Sequence, residues 1–142
     1  MTVTLDVNVL VSGLIGSLGF SRRVIQAWQE GKVTIVTSDG ILKEFDDKLR
    51  LPRIRKRLPN PDENRLWIMQ LLQTQAQFVL VPPTECLPVT GDPEDDYVLA
   101  TARLGQAEYI VTGDQGRLRL AESAGARIVS PKDFVELLTS MP

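Results

Sequence analysis

Apolar residues along this chain fall into two alternating rhythms. Short runs such as Val3-Thr4-Leu5, Val33-Thr34-Ile35-Val36, Phe78-Val79-Leu80-Val81, Tyr109-Ile110-Val111 and Arg127-Ile128-Val129 are mostly β-branched or aromatic and read as strands. Between them, Val24, Ile25, Ala27 and Trp28, then Ile41, Leu42, Phe45 and Leu49, recur at helical spacing. Phe78 to Val81, being continuously apolar, is expected to be a buried strand. The glycines at 13, 16 and 19 read as a flexible loop after the first strand, because no GxxxxGK[ST] or GxGxxG pattern makes them a nucleotide loop.

Punctuation between these runs sets the helix ends. Gly31 is a stop, Ser38 a cap for the helix carrying Ile41, and Pro52 the end of that helix. Asn60-Pro61-Asp62-Glu63 predicts a helix capped by Asn60 and running to about Gln75. Asp92-Pro93 opens another, closed by Gly105, and Leu118 to Ala124 forms a short helical piece. Ser130-Pro131 starts the last. Strands alternating with helices predict an α/β sandwich with a mostly parallel sheet, one domain over residues 1–142. Sites in such sheets lie outside the carboxyl ends of the strands.

Composition narrows the chemistry. A hydrophobic content of 43% and a charged content of 24% are those of an ordinary globular domain. The net charge of −2 argues against bulk polyanion binding by the whole surface but leaves room for a local basic patch. No apolar run approaches the roughly 20 residues that span a bilayer, and MTVTLDVNVL lacks the marks of a signal peptide. The single Cys86 fits a reducing compartment, so a cytoplasmic protein is expected. Without histidine, Cys86 has no base to activate it and reads as an inert small residue.

Against that background five carboxylates stand out. Asp6 ends the first apolar run, Asp92 and Asp95 open GDPEDDYVLATA, Asp114 follows Val111-Thr112-Gly113, and Glu44 sits in a helix. If they converge they repel one another unless a divalent cation holds them, and with no histidine the ligands are oxygens, which suit Mg²⁺ or Mn²⁺. Asp6 and Asn8 fall on one side of an extended backbone. Asp95 lies three, four and seven positions before Val98, Leu99 and Ala102, with Asp92 on the same side, so both are expected to face inward and Asp96 outward. A helix cap and the helix dipole account for the same acids without any metal. Glu44 pairs at i+4 with Lys48 yet also borders the apolar stripe, and local sequence leaves it undecided. The segment Lys48 to Arg57, KLRLPRIRKR, holds six basic residues in ten. Such a run is by default a solvated face, but beside an acidic metal site it suits a phosphate backbone.

Taken together, Asp6-Val7-Asn8-Val9-Leu10, Ser38 with Glu44, Asp92-Pro93-Glu94-Asp95-Asp96 and Val111-Thr112-Gly113-Asp114 resemble the PIN domain, and more narrowly the VapC-like ribonuclease toxins of bacterial toxin–antitoxin systems. The resemblance covers nearly the whole chain in order. It implies a three-layer α/β/α fold and Mg²⁺- or Mn²⁺-dependent cleavage of RNA. The family's acidic ligands fall on Asp6, Glu44, Asp95 and Asp114, with Asp92 as an additional acid and Asn8 and Thr112 as the polar residues that orient them. Arg53, Arg55, Lys56 and Arg57 are then expected to position RNA. A homodimer and a cognate antitoxin are implied as partners.

Two other classes place acids at strand ends around Mg²⁺. A haloacid-dehalogenase-type phosphatase needs a second Asp two residues after the first, where this chain has Asn8. A receiver domain needs an acidic pair at the first strand and a phosphoacceptor on a middle strand, where Val36 is followed by Thr37-Ser38. A catalytically silent PIN-like domain that binds RNA or protein is marked by lost acids, and here none is lost.

Overall fold

The computed structural model describes residues 1–16, 19–114, 116 and 125–141. Five strands, β1 (Thr2–Leu5), β2 (Thr34–Ser38), β3 (Gln77–Val79), β4 (Tyr109–Val111) and β5 (Arg127–Val129), form one sheet in the order β3-β2-β1-β4-β5. Every pairing is parallel, with Val3 opposite Ile35 on one side and Tyr109 on the other. Helices α1 (Val7–Ile15), α2 (Phe20–Gln29), α3 (Asp39–Leu49), α4 (Pro52–Arg55), α5 (Pro61–Gln75), α6 (Pro93–Leu104) and α7 (Pro131–Thr139) flank the sheet, giving the expected α/β/α arrangement. From β1 the chain first moves toward one edge and later returns to fill the other, so the order reverses between β1 and β4. That crevice is where doubly wound sheets bind ligands. Among the described residues no helix is long and apolar enough to cross a membrane.

The core explains these elements. Val3, Leu5, Ile35, Val36, Ile110 and Val111 on the central strands are buried, as a sheet covered by helices requires. Caps hold the helices where the sequence placed most of them. The Ser38 hydroxyl accepts from the Ile41 N–H at 3.3 Å and the Ser130 hydroxyl from the Asp133 N–H at 3.0 Å.

Four expectations need correction. Residues after Asp6 are not extended: Val7 to Ile15 is helical, because the Asp6 carboxylate accepts from the Val9 N–H at 2.8 Å and caps the helix. Its valines have strand propensity, but Val7, Val9, Leu10 and Val11 are all buried, and tertiary packing overrides a difference of less than about 1 kcal/mol per residue. Gly13 is therefore no loop residue. It lies where α1 crosses α2, and a Cβ there would stand 2.4 Å from Ile25 Cδ1 and 2.9 Å from the Ser21 carbonyl oxygen. Asn60 precedes α5 in the left-handed region (φ 46°) and makes no side-chain cap bond. The segment after α5 is an edge strand rather than a buried one, with Phe78 and Leu80 exposed. The expected helix at Leu118 to Ala124 lies outside the described residues.

Candidate metal centre

Asp6 stands at the reversal of strand order. Its N–H donates to the Val111 carbonyl at 3.1 Å, so the residue prolongs the β1–β4 pairing by one step before turning into α1. One carboxylate oxygen caps α1. The other accepts from the Thr112 hydroxyl, and that hydroxyl in turn accepts from the Asp114 N–H at 3.0 Å. Asp6 is buried, and desolvation raises its pKa against the opposing pull of Thr112, the Val9 N–H and Lys48.

α3 and α6 bring Glu44, Glu94 and Asp95 to Asp6. They meet closely because Gly40, early in α3, has no side chain: a Cβ there would fall 2.2 Å from the Tyr97 ring of α6. The Thr101 hydroxyl of α6 also donates to Ser38 Oγ at 2.7 Å. The result is a cavity of about 30 Å³ lined by Asp6, Val7, Asn8, Glu44, Lys48, Glu94, Asp95 and Val98, room for an ion or a water. Glu44 is pushed up to about 7, first by burial and then by its hydrogen bond with Glu94, while Lys48 pulls the other way. A neighbouring carboxylate disfavours a second negative charge at the same place.

The predicted acids divide into those at the cavity and those beside it. Asp6, Asn8, Glu44 and Asp95 line it. Asp92 caps α6, accepting from the Glu94 N–H at 2.9 Å, and is not among the lining residues. Asp114 is exposed and is tied to Asp6 through Thr112. Asp96 does not point outward. It is 5% exposed and its Oδ1 accepts from the Val89 N–H (3.2 Å), the Thr90 N–H (2.9 Å) and the Thr90 hydroxyl (2.7 Å). Adjacent acids on one helix thus face different surroundings, Asp95 the cavity and Asp96 the loop that precedes the helix.

Two residues of the cavity escaped sequence reasoning. Glu94 reads as a helix-dipole acid, although its place four before Val98 gave the same signal that selected Asp95. Lys48 reads as a surface partner of Glu44, yet its Nζ lies 3.2 Å from Glu44 Oε1, 3.1 Å from Asn8 Oδ1 and 3.9 Å from Glu94 Oε2. Among the described residues no three acidic side chains already stand as a finished metal cage. The donor set nevertheless fits a hard divalent cation in kind: carboxylates and an amide oxygen converge on a space of ionic size, and the chain has no histidine.

Beside this cavity lies a second, of about 250 Å³, sharing Asn8 and Lys48 and lined further by Arg53, Arg57, Ser12, Ile15 and Ile54. Of the four basic residues expected at RNA, Arg53 and Arg57 face it. Arg55 instead pairs with Asp62 of α5 at 2.8 Å, and Lys56 is exposed.

A parallel sheet with an acid-lined cavity at its reversal point defines a class, and the sequence matches the corresponding family. Residues 2–116 match the PIN domain model, and the chain belongs to the PIN domain family. An uncharacterized protein of Methanocaldococcus jannaschii, MJ1680, is 30% identical, with 94% of this chain and 89% of that protein aligned. Solved structures share the fold at lower identity. PAE2754 from Pyrobaculum aerophilum superposes with a TM-score of 0.65 at 14% identity, covering 99% of this chain and 91% of that one. VapBC2 from Rickettsia felis, solved bound to a DNA fragment from its promoter, gives 0.60 at 13%, covering 92% and 98%. FitAcB from Neisseria gonorrhoeae gives 0.56 at 15%, with the same coverage of 92% and 98%.

Proposed function

We propose that this chain is a Mg²⁺- or Mn²⁺-dependent endoribonuclease, the toxin of a toxin–antitoxin pair. The observation that carries the reading is the buried Asp6 at the strand reversal, joined by Glu44, Glu94 and Asp95 around one ion-sized cavity that adjoins a basic one.

When bound, Mg²⁺ or Mn²⁺ supplies Lewis-acid polarisation of a phosphodiester and an acidified water. Asp6 and Asp95, which line the cavity, would hold it, with Asp114, tied to Asp6 through Thr112, and the cap residue Asp92 in support from outside the lining. Thr112 fixes the Asp6 carboxylate through its hydroxyl, and Asn8 presents an amide oxygen to the same space. Glu44 lines the same cavity as Asp6 and Asp95, within reach of a water held there. Arg53 and Arg57 face the adjoining cavity, where guanidinium groups hold phosphates without reading bases.

The same reading makes residues 1–142 one domain, acting in the cytoplasm as a homodimer with a cognate antitoxin. VapBC2 and FitAcB, which share this fold, support the partner assignment. The test is direct. Purified protein should cut a panel of RNA oligonucleotides in millimolar Mg²⁺ or Mn²⁺ and stop in excess EDTA. Cleavage that continues undiminished in EDTA overturns the reading.

A further inference from the structure

Lys48 occupies an unusual place for a helix-surface lysine. An exposed i,i+4 pair keeps its ammonium in water, but here the side chain is only 23% exposed and the ammonium lies among Asn8, Glu44 and Glu94. Those acids share the cavity with Asp6 and Asp95, so the ammonium is the counter-charge inside a concentration of carboxylates. A divalent cation entering the same 30 Å³ cavity would meet that positive charge at a few ångströms. The ammonium and the cation cannot both sit among these carboxylates without strong repulsion. Lys48 also lines the adjoining cavity of about 250 Å³, beside Arg53 and Arg57, so its flexible four-carbon stem has an open space into which to withdraw.

We infer that Lys48 is an exchangeable counter-ion: it balances the acidic cavity until a divalent cation enters, then withdraws from Glu44 toward the Arg53–Arg57 side. The inference rests on the metal-dependent nuclease reading and adds a threshold to it. Lys48 sets how much metal is needed to load the site, because every ion that binds must displace an ion pair already made.

Calorimetric titration of Mn²⁺ into EDTA-stripped wild type, Lys48→Met and Lys48→Arg tests it, with Asp6→Asn as the control for binding at this cavity. Lys48→Met keeps the stem and removes the charge, and should bind Mn²⁺ at least roughly tenfold more tightly. Lys48→Arg keeps the charge and should stay near wild type. Melting temperature supplies a second readout that a purely structural lysine would not give: Lys48→Met should melt lower than wild type in EDTA and lose that deficit in saturating Mn²⁺. If wild type binds Mn²⁺ in an Asp6-dependent way while Lys48→Met binds no tighter, or keeps its deficit in Mn²⁺, the counter-ion role falls and the metal site stands. Absence of Mn²⁺ binding in both wild type and Lys48→Met overturns the two together.

Discussion

Replacing Asp6 separates the residue's chemistry from its structural work, because its two oxygens have different partners. One caps α1 at 2.8 Å from the Val9 N–H, and the other receives the Thr112 hydroxyl. Asp6→Ala removes both acceptors. Loss of an N-cap costs about 1 kcal/mol, and a buried hydroxyl left without its acceptor about 1–3 kcal/mol. Relief of a desolvated carboxylate returns part of this, since burial raises the Asp6 pKa and its ionised form is disfavoured in the folded state. The net expectation for Ala is a loss of about 2 kcal/mol, a melting temperature lower by roughly 4–8 °C. Asp6→Asn keeps the capping oxygen, and Asn caps helices about as well as Asp. Its amide can donate to Thr112 Oγ1, so a hydrogen bond still joins the two side chains, reversed in direction and with the Thr112 hydrogen turned from its former acceptor. With the charge gone as well, Asn should fall within about 1 kcal/mol of wild type. Thermal melts in EDTA, Mn²⁺ calorimetry and an RNA cleavage assay at saturating metal, run on all three proteins, check this. Wild-type-like melting with cleavage and Mn²⁺ binding abolished is the expected result for Asn. An Asn variant that melts as low as Ala would refute the capping argument, and one that cleaves normally would refute the site.

Further outcomes follow from other parts of the molecule. Glu44 has a folded pKa of about 7 against an ordinary 4.5, so between those values the folded state holds a proton the unfolded chain has released; stability should fall as pH rises through this window in EDTA. Glu44→Gln should flatten that slope in pH-dependent melts, and an unchanged slope would show that the crowding does not exist in solution. Asp96→Ala strips three hydrogen bonds from the 89–90 loop and should cost on the order of 3 kcal/mol in chemical denaturation, equally with and without Mn²⁺. Arg57→Glu should weaken RNA binding in EDTA and lower its salt dependence, whereas Arg55→Glu, whose parent is held by Asp62, should do so far less; equal effects in fluorescence anisotropy would argue against the basic cavity as the RNA path.

Periodicity and capping chemistry made most of the fold legible. Ser38, Asp92 and Ser130 announced their helices because a cap is a local interaction between residues three apart or fewer. What misled was the run from Val7 to Val11, where strand propensity is local but burial on several sides is not. The same distinction governs the site. Asp6 and Asp95 could be singled out from strand ends and helix phase. Whether Glu44 faced the site depended on how α3 packs against α6, which is set by Gly40 and Tyr97, 57 positions apart in the sequence. Asp96 was misplaced for a related reason: the phase of the helix pointed it away from the apolar stripe, but the loop at 89–90 covers that flank and hydrogen-bonds it. Lys48 was legible as a partner of Glu44, and only the fold shows that the pair lines a cavity with Asp6 and Asp95.

The edge of the sheet at β3 carries a consequence for how this protein behaves when crowded. An open strand edge invites stacking by further chains, and Phe78 and Leu80 would add apolar area to such a contact. Here the invitation ends quickly. β3 is three residues long, and Pro82 and Pro83 just beyond it have no N–H to offer. A neighbouring strand that docked there would run out of donors within one turn of the ladder. Backbone chemistry thus keeps the ladder that could grow from this edge short, beside two exposed apolar side chains.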